Sequence, residues 1–143
     1  MTHARTGPMM AALSLLALLV AAYLTWVKLN GTAPVCAVLS GCETVENSRY
    51  SEFLGIPVAA FGMAGAGALL AGSLLWGRRA DRRGLMLTYL GGLASLPVLA
   101  WLTYLELAVI GAVCIWCVTY AVLVIATWVL ALLALRTAPT EPA

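Results

Sequence analysis

The sequence predicts an all-α polytopic membrane protein: a four-transmembrane-helix bundle with one sizeable outer-face loop. Three observations carry that prediction. The 143 residues are 63% hydrophobic and only 10% charged, too few charges to cover a soluble domain of this size. The apolar residues fall into four runs, each able to cross a hydrocarbon core of roughly 30 Å at about 1.5 Å per residue. The basic residues gather on one side of these runs. At about 20 residues per span, the length suits four spans and short loops. A single membrane domain over residues 1–143 is therefore expected, with no second soluble domain.

Span one is placed at about residues 8–30, with Tyr23, Trp26 and Lys28 near its far end. Arg5 followed by an apolar run has the look of a signal peptide. The run is too long for one, and no small-residue cleavage site precedes the polar loop, so a retained span is expected. Residues 31–55 form the outer loop. Span two covers about 56–76. Gly62, Gly65, Ala66, Ala71 and Gly72 put small residues along it at spacings that let backbones approach. Span three covers about 85–110, with Gly91, Gly92 and Ser95 in the same role and Pro97 expected to kink it. Span four covers about 113–135. Trp76, Trp116 and Trp128 fall near span ends, where indole rings favour the interface, and Trp101 falls deeper.

The basic residues give an orientation. Arg5, the hairpin residues Arg78, Arg79, Arg82 and Arg83, and Arg136 fall on one side, against Lys28 and Arg49 on the other. The positive-inside rule makes the first side cytoplasmic. Both termini are then inside, and the loop and the Gly111 turn face out. All four cysteines sit at that outer face, which in a bacterial cytoplasmic (inner) membrane is disulfide-permissive. The small net charge of +2 comes mainly from the hairpin arginines, so no nucleic-acid partner is expected.

The cysteines come as two pairs. Cys36 and Cys42 lie in the outer loop, in a segment that contains Pro34 and Gly41 and is able to bend. Cys114 and Cys117 form a Cys-Ile-Trp-Cys motif where span four opens. That spacing permits easy thiol exchange. The helix start supplies free N–H groups and the positive end of a dipole, which favour thiolate; burial in lipid acts the other way. A mobile pair beside a fixed pair suits a thiol relay, the mobile one kept at high local concentration by its short tether. The catalytic candidates are therefore Cys36, Cys42, Cys114 and Cys117. Other readings stay open: two structural disulfides stapling a non-enzymatic membrane scaffold, or a four-thiolate zinc site, although no metal is expected. Glu106 is the one acid inside a span. It is either a functional group, such as part of a proton route, or an acid reaching up to interfacial water.

A resemblance joins these features. The run Cys42-Glu-Thr-Val-Glu-Asn-Ser48-Arg-Tyr50, then Gly55-Ile-Pro57 and Phe61-Gly62, then Cys114-Ile-Trp-Cys117-Val-Thr-Tyr120 resembles the vitamin K epoxide reductase family. The order of the cysteine pairs sets it apart from the bacterial disulfide-bond membrane oxidases, in which the pairs are reversed. The resemblance implies a four-helix bundle holding a quinone (menaquinone, phylloquinone or ubiquinone) beside the CxxC motif. It implies that Cys36 meets a separate thioredoxin-like protein or small dithiol at the outer face, that Cys42 exchanges with Cys114, and that Cys117 passes electrons to the quinone. It implies disulfide-bond formation as the physiological outcome and quinone-epoxide reduction as a second activity. Ser48 matches a serine that supports the loop over the site. Phe61 and Tyr120 match residues near the quinone, Tyr120 standing one residue earlier than in the vertebrate enzymes. Before Phe61 those enzymes carry an asparagine; here the stretch is Val58-Ala59-Ala60, without a polar side chain.

Overall fold

A computed structural model describes residues 3–36 and 41–138. Residues 37–40, the middle of the expected bend between the loop cysteines, lie outside the described residues. Among the described residues four helices are long and apolar enough to cross a membrane. Helix α1 is His3–Leu29. A short helix between the first two spans, α2, is Cys42–Glu46. Helices α3 and α4 are Val58–Arg79 and Arg82–Tyr104, and α5 is Ile115–Thr137. Each long helix begins or ends a few residues from its expected position, because ends are set by local caps that hydropathy does not register. At the α3–α4 hairpin, for example, the Asp81 side chain accepts from the Arg83 N–H at 2.9 Å and starts α4 there.

The bundle is a ring. Helix α1 packs on α3 and α5, and α4 packs on the same two. The buried face of α1 is Met10, Ser14, Ala17, Ala21, Leu24 and Val27, spaced by three and four residues as a helical seam requires. Three of these side chains, Ser14, Ala17 and Ala21, are small. In lipid, packing rather than water exclusion holds helices together, so close approach matters most. The α3–α4 crossing relies on two glycines. A Cβ at Gly72 would collide with Thr88 and the Gly84 carbonyl, and one at Gly84 with the backbone of α3. Ala71, expected among the packing residues, faces outward instead.

Trp76 falls in the last turn of α3, near the span end as expected, but its ring is buried against α1, where its Nε1 donates to Thr6 Oγ1 at 3.1 Å. Trp101 stays on an exposed face and stacks on Tyr104. Pro97 sits inside the continuous helix α4. That helix passes into a π-helical segment, Leu105–Ile110. Wider turns of this kind recur at functional sites. Gly111 then ends it with φ +69°, a left-handed position suited to glycine.

The loop between α1 and α3 carries little regular structure of its own. After α2 come a 3₁₀ turn, Arg49–Ser51, and a hairpin of β1 (Glu52–Phe53) and β2 (Ile56–Pro57). Its two-residue turn, Leu54-Gly55, has positive φ at both positions, as tight hairpins require. Lys28, at the end of α1, ties this loop down. Its ammonium donates to the Glu46 carbonyl and to Ser51 Oγ (2.8 Å), and pairs with Glu52 at 3.8 Å.

Candidate active site

Cys36 and Cys42 are joined as a disulfide, with Cα atoms 6.3 Å apart. Cys114 and Cys117 are free thiols. Cys42 opens α2, and Cys114 is the extended residue that caps α5. Both are fully buried, and they share one cluster with Val45, against which Cys36, Ile110, Trp116 and Cys117 pack. The two pairs therefore meet under the loop.

Two local devices bring them there. The first is Gly41. A Cβ at this position would strike the backbone of Val113, so α2 begins in direct backbone contact with the turn that carries Cys114. The second is a clamp on the segment entering Cys36. The Val35 N–H donates to the Tyr23 hydroxyl at 3.0 Å, and the Val35 carbonyl accepts from Trp116 Nε1 at 2.8 Å. The rings of Tyr23 and Trp116 lie against each other, 4.9 Å between centroids. A tryptophan within the CxxC motif thus holds the backbone next to the outer cysteine.

The inner dithiol sits at a helix start. The first helical bond of α5 runs from the Val118 N–H to the Cys114 carbonyl at 3.1 Å. Cys117 therefore lies in the first turn, with its thiol turned to Cys114. The Cys117 thiol and, less strongly, the N–H groups of Cys117 and Trp116 hold the Cys114 thiol below the ordinary thiol range, against burial and the nearby Glu106. No regular capping bond is formed. Burial outweighs each of the two N–H contacts at the helix start; the Cys117 thiol is what brings Cys114 down.

Glu106 is placed by the π-helical segment and is only 6% exposed. One carboxylate oxygen accepts from the Cys114 N–H at 3.3 Å, and the carboxylate also meets the Cys117 side chain. It turns toward the dithiol, not up toward interfacial water.

Below the cluster the bundle encloses a cavity of about 390 Å³. That volume lies within the range of small-molecule sites. Its wall is mainly apolar and includes Ala21, Leu24, Val98, Leu102, Val118 and Ala121, with Glu106 and Cys117 at the dithiol end. Phe61 and Tyr120, expected near a bound ring, and Ser48, expected to support the loop over the site, all line it. Phe61 is half exposed and contacts Phe53 of the hairpin edge-on. The Tyr120 hydroxyl donates to the Gly62 carbonyl at 2.9 Å, which fastens α5 to α3. The Ser48 hydroxyl donates to the Val45 carbonyl at 2.7 Å, and Ser51 in turn donates to the Ser48 carbonyl at 2.8 Å. Ser48 thus braces the loop above the cavity.

Sequence reasoning missed Gly41, the Tyr23–Trp116 clamp and the Lys28 anchor. Each acts across a long stretch of chain. Lys28 alone carried a signal: a lone cation at the outer end of an apolar span needs polar partners.

Residues 8–132 match the family model described as the vitamin K epoxide reductase family.

Proposed function

The chain belongs to the vitamin K epoxide reductase family, and on that premise we propose that it couples oxidation of a thiol protein outside the membrane to reduction of a quinone within it. Membership makes it an integral-membrane oxidoreductase acting on thiols and disulfides. The observation that carries the finer reading is a buried meeting point of one disulfide and one dithiol above an apolar cavity.

In this reading a reduced thioredoxin-like protein or small dithiol attacks Cys36 and releases Cys42 as a thiolate; the partner's second thiol then closes the partner's own disulfide and frees Cys36. Cys42 attacks Cys114 of the oxidised inner pair, giving a mixed disulfide and a free Cys117. Cys36 resolves it, restoring the Cys36–Cys42 disulfide and leaving Cys114 and Cys117 reduced. That is the redox state of the structure, with one electron pair passed inward. A Cys114 thiol held below its ordinary range is a good leaving group for this exchange. The inner dithiol then closes to a disulfide as the quinone gains two electrons and two protons. Menaquinone, phylloquinone and ubiquinone all offer a flat ring suited to the apolar cavity, and Phe61 and Tyr120 supply aromatic wall. Oxidised partner protein would serve disulfide-bond formation. A quinone epoxide is a second substrate to test on the same dithiol. The arginine distribution supports both termini in the cytoplasm and the cysteines on the outer face of a bacterial cytoplasmic membrane.

A scaffold stapled by two disulfides is the competing reading. It needs both pairs bonded, and Cys114 and Cys117 are free here. The test is a trap. The double variant Cys36→Ala, Cys117→Ala retains only Cys42 and Cys114. The relay predicts that these two cross-link on mild oxidation, read as one disulfide-linked peptide pair by mass spectrometry. Two separately alkylated thiols in a folded protein would count against it.

A further inference from the structure

Two acids line the cavity, Glu46 on α2 beside the Lys28 ammonium and Glu106 beside the dithiol, and its hydroxyls are short of protons to give. Of its lining hydroxyls, Ser48 donates to the Val45 carbonyl, Ser51 to the Ser48 carbonyl, Ser95 to the Gly91 carbonyl and Tyr120 to the Gly62 carbonyl. A hydroxyl has one proton, so none of these four has one left for a quinone oxygen. Tyr50 keeps its proton, its oxygen accepting from Arg49, but it sits on the 3₁₀ turn of the outer loop. Thr103 is on an exposed face of α4. Glu106 lines the same cavity, is nearly fully buried, and is the acid that touches both Cys114 and Cys117.

We propose that Glu106 is a catalytic proton carrier, taking the proton of the Cys117 thiol and delivering it to the nearer oxygen of the bound quinone. The proposal rests on the quinone-reducing reading above and adds a residue to it. The step balances. Two S–H bonds break and one S–S bond forms between Cys114 and Cys117. The two electrons and two protons released become the two O–H bonds of the quinol. Glu106 conveys one of the protons, the other being that lost by Cys114, and it ends in the ionisation state in which it began. Its contact with the Cys114 N–H fixes the carboxylate beside the Cys117 thiol, in the wall of the cavity. The π-helical segment is what turns an acid from α4 toward a motif on α5.

Glu106→Gln separates this role from a structural one, because the amide oxygen still accepts from the Cys114 N–H but cannot carry a proton. Two half-reactions are measured on purified protein in detergent without oxygen. One is transfer from a reduced thioredoxin-like protein to the inner pair, followed by alkylation and mass. The other is oxidation of the prereduced inner dithiol by a short-chain quinone, followed by quinone absorbance. General acid–base groups contribute about 10²–10⁴-fold, so E106Q should slow the quinone half-reaction by about 100-fold or more. The thiol half-reaction should stay within about threefold. Glu106→Asp, which keeps the proton but shortens the reach, should recover at least about tenfold over E106Q. Quinone reduction by E106Q within about threefold of wild type overturns the proposal, as does an equal loss in both half-reactions or an E106D variant no faster than E106Q. If the wild type also fails to reduce any quinone, the underlying reading has failed, and the inactive wild type marks that outcome apart.

Discussion

Replacing Gly41 by alanine should uncouple the two cysteine pairs. The glycine is not needed for its backbone conformation, since φ −84° and ψ −11° are open to any residue. What alanine adds is a Cβ, built 2.6 Å from the Val113 nitrogen and 3.0 Å from its carbonyl carbon. Ordinary contact between carbon atoms is about 3.5–4.0 Å. Both partners are backbone, so neither can swing aside, and the two segments must separate by about 1 Å. Thiol exchange needs the attacking sulfur in line and in contact. A displacement of about 1 Å between reacting groups can cost on the order of 100-fold. Overpacking of this kind also costs roughly 1–3 kcal/mol of stability. Gly41→Ala should therefore slow transfer from the loop pair to the inner pair by about 30- to 100-fold. Oxidation of the inner dithiol by quinone, after direct reduction with a small dithiol, should change by less than about threefold. The assay is the pair of half-reactions on one preparation. Wild-type coupling in a folded Gly41→Ala protein would refute the reasoning.

Two other perturbations test the neighbouring contacts. Tyr23→Phe removes the acceptor of the Val35 N–H, a bond worth about 1 kcal/mol. Hydrogen exchange at that amide should quicken by about fivefold, and unchanged protection would mean that the clamp does not hold the Cys36 segment. The Cys114 thiol has its pKa lowered mainly by Cys117. Its thiolate should persist to lower pH than an ordinary cysteine's, and the stability this gives is present above the unfolded-state pKa and lost as pH falls through the folded one. Thiolate ultraviolet absorbance should show the Cys114 titration moving upward in Cys117→Ala; no upward movement would assign the shift to another cause.

The membrane class, the four spans and the positions of the cysteine pairs were legible because each rests on composition or short spacing. Twenty apolar residues in a row need no tertiary information to be read as a span. The rotation of each span was not legible. Lipid-facing and bundle-facing positions are both apolar, so hydrophobic periodicity does not mark the inner face as it does in water. That is why Ala71 was expected to pack and instead faces out, and why the inward turn of Trp76 went unseen. The π-helical segment at Leu105–Ile110 has no distinctive residue pattern, yet it turns Glu106 toward the dithiol. Gly41 looked like a bend residue. Its contact with Val113 spans more than seventy positions and becomes visible only when the loop is folded over the bundle. Tyr120 was legible in place but not in partner, since its hydroxyl is engaged by the Gly62 carbonyl.

The central claim is that electrons pass from an outer thiol protein through Cys36 and Cys42 to Cys114 and Cys117, and then to quinone. The most direct measurement is anaerobic quinone reduction by the purified protein, driven either by a reduced thioredoxin-like protein or by a small dithiol. Wild type is compared with each cysteine singly replaced by alanine. The account predicts that Cys114→Ala and Cys117→Ala lose turnover with both reductants, whereas Cys36→Ala and Cys42→Ala fail with the protein and keep substantial turnover with the small dithiol. Quinone reduction that survives Cys117→Ala, or a folded wild type whose four cysteines stay paired and which reduces no quinone, would contradict it.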